Sequence, residues 1–223
     1  MASDVDICNT ALSYIGADAV VTSISPPDGS YEASQCARFY PLARRELIES
    51  GGYSFSLARA VLAEVDNVST VWSYAYAMPA DAIGTLRVLQ LAHLNELGLN
   101  FPIGSLSGYY FSYQLVDDMF TERGSADFAV EGDVLYTNEP EAVLLYIRDV
   151  VDTTKFSSLF VSALGVLLAA YIAGPIIKGM EGAKIGLQYR QMAARLRGEA
   201  IASDANTGSE RGGHVAEHIR ARA

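Results

Sequence analysis

Residues 156–177, FSSLFVSALGVLLAAYIAGPII, run between Lys155 and Lys178 without a charged side chain, and the solvent of this stretch decides how the rest of the chain folds. As a helix it rises roughly 30 Å, the thickness of a bilayer core, so a membrane span is one reading. Three features favour a buried core helix instead. Ser157, Ser158 and Ser162 put hydroxyls into the first turns, and Ala163, Gly165, Ala169, Ala170 and Ala173 are small. Gly174-Pro175 is expected to end or kink the helix early, leaving about eighteen residues, a length that a water-soluble protein also buries. The flanking lysines give no positive-inside asymmetry. The core reading is taken forward, with a single membrane anchor over residues 156–177 as its rival.

The other 201 residues must then supply a body that covers this helix. A chain of 223 residues, 50% hydrophobic and 19% charged, is long and apolar enough to bury its own core. Its net charge of -10 is unevenly spread. Residues 1–173 carry 8 basic and 21 acidic side chains, whereas residues 174–223 carry 8 and 5. The acidic body argues against non-specific nucleic-acid binding, which needs clustered Lys and Arg. The basic end suits an acidic partner. Cys8 and Cys36 both fall on apolar helical positions, so two buried free thiols are expected rather than a disulfide framework. The opening MASDVDICNT has acids where an export signal has basic residues, and no signal peptide is expected.

In chain order, Ser3 with Asp6 reads as a helix cap, and Val5, Cys8, Leu12 and Ile15 recur at helical spacing up to Gly16. Pro26-Pro27-Asp28-Gly29 is turn chemistry. A second helix begins near Ser30, buries a stripe of Ala33, Cys36, Phe39, Tyr40, Ala43 and Leu47, is kinked by Pro41, and stops at Gly51-Gly52. Residues 53–65 read as extended. Residues 71–78, 86–91 and 108–116 read as strands, with a loop over 98–107. Residues 128–130 and 134–137 form a hairpin around Glu131-Gly132-Asp133, and 142–150 is the last strand. Asp152-Thr153-Thr154 is expected to cap the apolar helix. A polar helix follows over 178–205, carrying Ile185, Tyr189, Met192 and Leu196 on one face and weakened at its start by Gly179, Gly182 and Gly186. The predicted fold is α+β: a bundle of about four helices (1–52 and 153–206), an inserted antiparallel β domain (53–152) and an extended, flexible C-terminal arm (207–223).

Chemistry-bearing patterns are few. His214-Val-Ala-Glu217-His218 has the spacing of an inverted zincin, and with Glu217 it frames a metal-hydrolase reading. It follows Gly212-Gly213 near the end of the sequence, where a rigid helix and a further ligand are lacking, so coincidental spacing on a solvated arm is preferred. His93 reads as structural, Asp117-Asp118 as a solvated strand end or turn, and Arg38, Arg44 and Arg45 with Glu46 and Glu49 as a salt-bridged exposed helix face. No phosphate loop, dinucleotide fingerprint or serine elbow occurs, so no cofactor and no enzymatic activity are expected. The tyrosines, thirteen in all, cluster in the β part, where they serve as sheet core or interface anchors.

The order of several short pieces carries a resemblance. Ile7-x-x-x-Ala11-Leu12-x-x-Ile15-Gly16, Ile24 with Asp28-Gly29-Ser30, Ala43-Arg44-Arg45-Glu46-Leu47 and Gly52-Tyr53-Ser54-Phe55 come first. Trp72-x-Tyr74-x-Tyr76-x-Met78-Pro79-x-Asp81, Glu131-Gly132-x-x-x-Tyr136-Thr137-Asn138, Tyr146-Ile147 and Phe156-x-x-x-Phe160 follow. Between Ile7 and Gly174 this series resembles the tail tubular protein A family, the head-to-tail adaptors of short-tailed bacteriophages. Tyr53 stands where such proteins often have Trp, and the basic arm after Thr207 has no counterpart in the pattern.

The resemblance implies a non-enzymatic structural protein of the virion, present in the host cytoplasm during assembly. It implies a dodecameric ring of copies of this chain that docks beneath the portal protein, carries the tail nozzle protein and passes double-stranded DNA without sequence-specific binding. No membrane partner is implied. An acidic wall suits a channel through which DNA slides. The basic end becomes a portal-docking arm carried by Arg195, Arg197, Arg211, His214, His218, Arg220 and Arg222.

Overall fold

A computed structural model describes residues 2–90 and 126–206 of the chain. Among the described residues it is a mixed α+β fold with four helices and two small antiparallel sheets. The chain divides into two compact units, Met1–Leu57 with Ile147–Ala205 and, among the described residues, the inserted Ala58–Tyr146. The loop expected over 98–107, the strand over 108–116, His93, Asp117-Asp118 and the arm over 207–223 lie outside the described residues.

In the helical unit, α1 (Asp4–Tyr14) starts with a capping box in which Ser3 and Asp6 satisfy each other's backbone N–H groups. Its buried side is Ile7, Cys8, Ala11 and Leu12, while Val5 is only half-buried, so the core face is rotated slightly from the stripe read off the sequence. The following turn is tied by Asp28, whose carboxylate accepts from the backbone N–H and hydroxyl of both Thr22 and Ser30. Those bonds hold the Asp28 carboxyl well below the usual range, the Ser30 hydroxyl contributing most. Ser30 then caps α2 (Tyr31–Gly51). Pro41 stays inside this continuous helix, and Gly52 ends it with a left-handed φ of 55°.

The apolar stretch becomes α3 (Ser158–Ile177), which packs on α1 and α2 and on the long α4 (Gly179–Ala205). Two expectations need correction. Asp152 caps only a short 3-10 turn, Thr153–Lys155, and the cap of α3 is Ser157, whose hydroxyl accepts from the Phe160 N–H. The helix also continues through Pro175 to Ile177, because a proline so near the C-terminus removes a single donor and the chain turns at Lys178 in any case. The buried residues of α3 include Phe160, Leu164, Leu168 and Ile172, all without solvent exposure. By length and composition α3 is also the one described helix apolar enough to cross a membrane.

Glycines expected to weaken α4 have a packing role. A Cβ on Gly182 would lie 2.9 Å from the Ala173 carbonyl oxygen, and one on Gly186 3.0 Å from that of Ala170. Their hydrogens let α4 fold back along α3 as a tight helical hairpin. Tyr53, Phe55, Phe156 and Phe160 close the end of this unit as an aromatic cluster with ring centroids 4.7 to 5.5 Å apart.

In the inserted unit, one sheet has the order β1-β6-β3, with β1 (Leu57–Val61), β6 (Ala142–Arg148) and β3 (Ala82–Gln90). The other has the order β2-β5-β4, with β2 (Tyr74–Ala77), β5 (Val134–Thr137) and β4 (Phe128–Glu131). Tyr76 pairs with Leu135, and Glu131 with Val134 across the hairpin whose Gly132 has φ 60°. Val88, Leu144 and Tyr146 from the first sheet share one core cluster with Tyr76 and Leu135 from the second. Tyr76, Tyr136 and Tyr146 are thus buried sheet residues. β2 is shorter than expected because residues 71–73 belong to the loop before it, and β3 is longer.

Candidate interaction surfaces

Among the described residues no group of three or more His, Cys, Asp or Glu is placed to hold a metal. Cys8 and Cys36 are free, buried thiols facing each other between α1 and α2. The adjoining Cys36 and burial push the Cys8 thiol above the usual thiol range.

The arginines of α2 require a correction. Arg44 is only 6% exposed and does not sit on a solvated face; its guanidinium donates to both carboxylate oxygens of Asp149, at 2.8 and 3.0 Å. Arg45 approaches the same carboxylate at 3.6 Å. Glu46 turns to the other side, accepting from Arg190 at 3.0 Å and from the Tyr171 hydroxyl. Arg44 and Arg45 fasten α2 to the segment after β6, and Glu46 fastens it to α3 and α4, rather than forming a patch.

Surfaces open to a partner lie elsewhere. Of the 27 residues of α4 only Gly182, Ala193 and Ala200 are buried, and Met180, Leu187 and Met192 are exposed. A groove of about 310 Å3 runs between α4 and the end of α1, lined by Tyr14, Ile15, Ile185, Gln188, Tyr189 and Met192. Tyr189 donates to the Tyr14 carbonyl, and their rings lie 6.2 Å apart, which fixes the groove floor. The face read from the sequence, Ile185, Tyr189, Met192 and Leu196, therefore does not face the core alone. Ile185, Tyr189 and Leu196 are half-buried and Met192 is exposed, because the small residues of α4 take the contact with α3.

Of the residues expected to dock onto the portal, Arg195 is on α4, exposed, and bonded to Glu199 at 3.2 Å one turn on. Arg197 is half-buried near Tyr53 and Asp204. Arg211, His214, His218, Arg220 and Arg222 lie outside the described residues.

A second surface went unread in the sequence. Residues 64–73, EVDNVSTVWS, form the loop before β2, and Val68 and Val71 are 81% and 77% exposed at its tip. The loop is stiff. The Asn67 amide donates to the Trp72 carbonyl and its oxygen accepts from the Ser69 N–H, the Ser69 hydroxyl accepts from Val71 and Trp72, and Ser73 donates to Asn138. Val65, Val68 and Val71 recur every third residue among Asp, Asn, Ser and Thr, a spacing that matches neither the period of a strand nor a buried helix face. Comparison with protein-family models and with curated proteins gives no significant match.

Proposed function

We propose that this chain is a structural virion protein: the ring adaptor that docks beneath the portal of a short-tailed phage, connects it to the tail nozzle and forms part of the DNA channel. One observation carries the reading. The short pieces whose order resembles that adaptor family meet one another within each unit. Tyr146 donates to Asp81 at 3.0 Å, Tyr76 to the Glu139 carbonyl at 2.9 Å, and Ser73 to Asn138. Gly52 lies beside Ile147, Tyr53 meets Phe160 edge to face, and Phe55 packs at a tilt on Phe156. Residues that contact one another across as many as 107 positions of sequence are framework residues of this fold, which supports reading the short pieces together.

The mechanism is assembly. The basic arm docks on the portal, and ring symmetry multiplies contacts that are weak singly. The acidic body lets DNA pass without adhering. Packing of α3 against three helices supports the core reading of residues 156–177, with the membrane-anchored protein as the rival.

The test is co-expression with the portal protein of the same genome and electron microscopy of the purified complex, beside a chain lacking residues 207–223. A ring beneath the portal, lost on truncation, is the expected result. A chain that never joins the portal and partitions with lipid would favour the anchor.

A further inference from the structure

We infer that copies of this chain join head to tail by inserting the Val68–Val71 loop tip of one copy into the α1/α4 groove of the next. The inference takes the ring from the proposed function and gives it a contact. Three observations meet in it.

The loop is an apolar knob held rigid by its own hydrogen bonds, so ordering it on a partner costs little conformational entropy. Two exposed valines on a stiff loop remain unexplained by the fold they belong to. The groove is its counterpart in chemistry and size. Its volume is about 310 Å3, it opens to solvent, and Ile15, Ile185 and Met192 give it an apolar lining suited to a valine side chain.

Charge sets the occupant. The knob carries Glu64 and Asp66 and no cation, whereas α4 presents Lys184 one turn before Gln188, Glu181 a turn earlier, and an Arg195 already paired with Glu199. The acidic loop meets Lys184 at the edge of an apolar groove, which favours a second copy, and its own carboxylates disfavour an anionic lipid surface. Knob and groove are different patches of the chain, so the contact is heterologous and propagates into a ring when its rotation closes. A single loop tip buries less than the roughly 1,200 Å2 of a stable interface, so one contact is weak and the closed set is stable.

The experiment uses the full chain in two forms with one added cysteine each, Val68→Cys and Met192→Cys, with a short bismaleimide as the probe; the native Cys8 and Cys36 are buried. Cross-linked dimer in the mixture, and not with either form alone, is the expected result. Lys184→Glu and Asp66→Lys, each alone, raise the concentration needed for self-association about tenfold, and both in one chain restore it. Val68→Asp abolishes the cross-link made by a Val71→Cys and Leu187→Cys pair. Self-association that survives Val68→Asp and Lys184→Glu overturns this contact and leaves the ring standing. Chains that stay single, alone and when co-expressed with the portal, overturn both. Flotation with lipid vesicles that Val68→Asp removes would assign the loop to a membrane instead.

Discussion

Single residues set the acid, alkaline and ionic behaviour of the helical unit. Tyr40 and Tyr53 are buried, and burial pushes both hydroxyls up to about 12. An unfolded tyrosine titrates near 10. Below pH 10 both states hold the proton and stability is flat; between 10 and 12 only the unfolded state releases it, so stability falls as pH rises. Each tyrosine contributes a loss of roughly 2 kcal/mol over that window. Urea titrations at pH 9 and pH 11.5 should show the loss in the native chain and a much smaller one in Tyr40→Phe/Tyr53→Phe. Neither hydroxyl has a hydrogen-bond partner among the described residues, so the double change costs little at pH 7. Arg44 is the opposite case. Arg44→Ala leaves Asp149 facing a half-dry site and should cost about 3 kcal/mol in the same titration, while Arg44→Leu with Asp149→Leu should cost clearly less, because no charge is stranded. A double change as costly as the single one would mean that packing, not charge, holds this joint.

The elements differ in how far the sequence announced them. The caps at Ser3, Ser30 and Gly52 and the hairpin at Gly132 were legible because one residue type meets one backbone demand. Helix existence followed from periodicity. What could not be read was the partner of each face: Arg44 looked solvated because its counter-ion is 105 positions away, and the glycines of α4 looked like weak points because their neighbour is the backbone of α3. Residues 71–73 looked like strand because aromatic and small residues alternate from Val71 to Met78, although side-chain bonds from Asn67 and Ser69 bind them into a loop. The groove was invisible for a related reason, since two of its six lining residues, Tyr14 and Ile15, come from the end of α1. Two glycines of α4 separate propensity from packing. A Cβ at Gly198 meets nothing within 4 Å, so Gly198→Ala should stabilise by about 0.5–1 kcal/mol. Gly182→Ala gains the same propensity yet drives its methyl against Ala173, and a net loss of about 1–2 kcal/mol is expected. Thermal melts of the two variants beside the native chain decide it; equal shifts would mean that the α3–α4 hairpin yields without cost.

At the scale of the whole molecule the question returns to the solvent of α3, since an adaptor and an anchored protein use that helix in opposite ways. In a bundle, Leu168 faces protein on every side, and it has no exposed surface. Leu168→Asp then buries a carboxylate without a partner, at a cost above about 4 kcal/mol, a large share of what holds a domain of this size together. Loss of the cooperative unfolding transition, with the native chain remaining in the soluble fraction when mixed with neutral or anionic vesicles, is the outcome expected of a core helix. In an anchor the helix meets lipid and the rest of the chain folds without it. The same substitution would then release a membrane-bound protein into solution with its transition intact. The two readings thus predict opposite movements of one variant, folded to unfolded or bound to free, and circular dichroism with a flotation gradient distinguishes them before any partner protein is in hand.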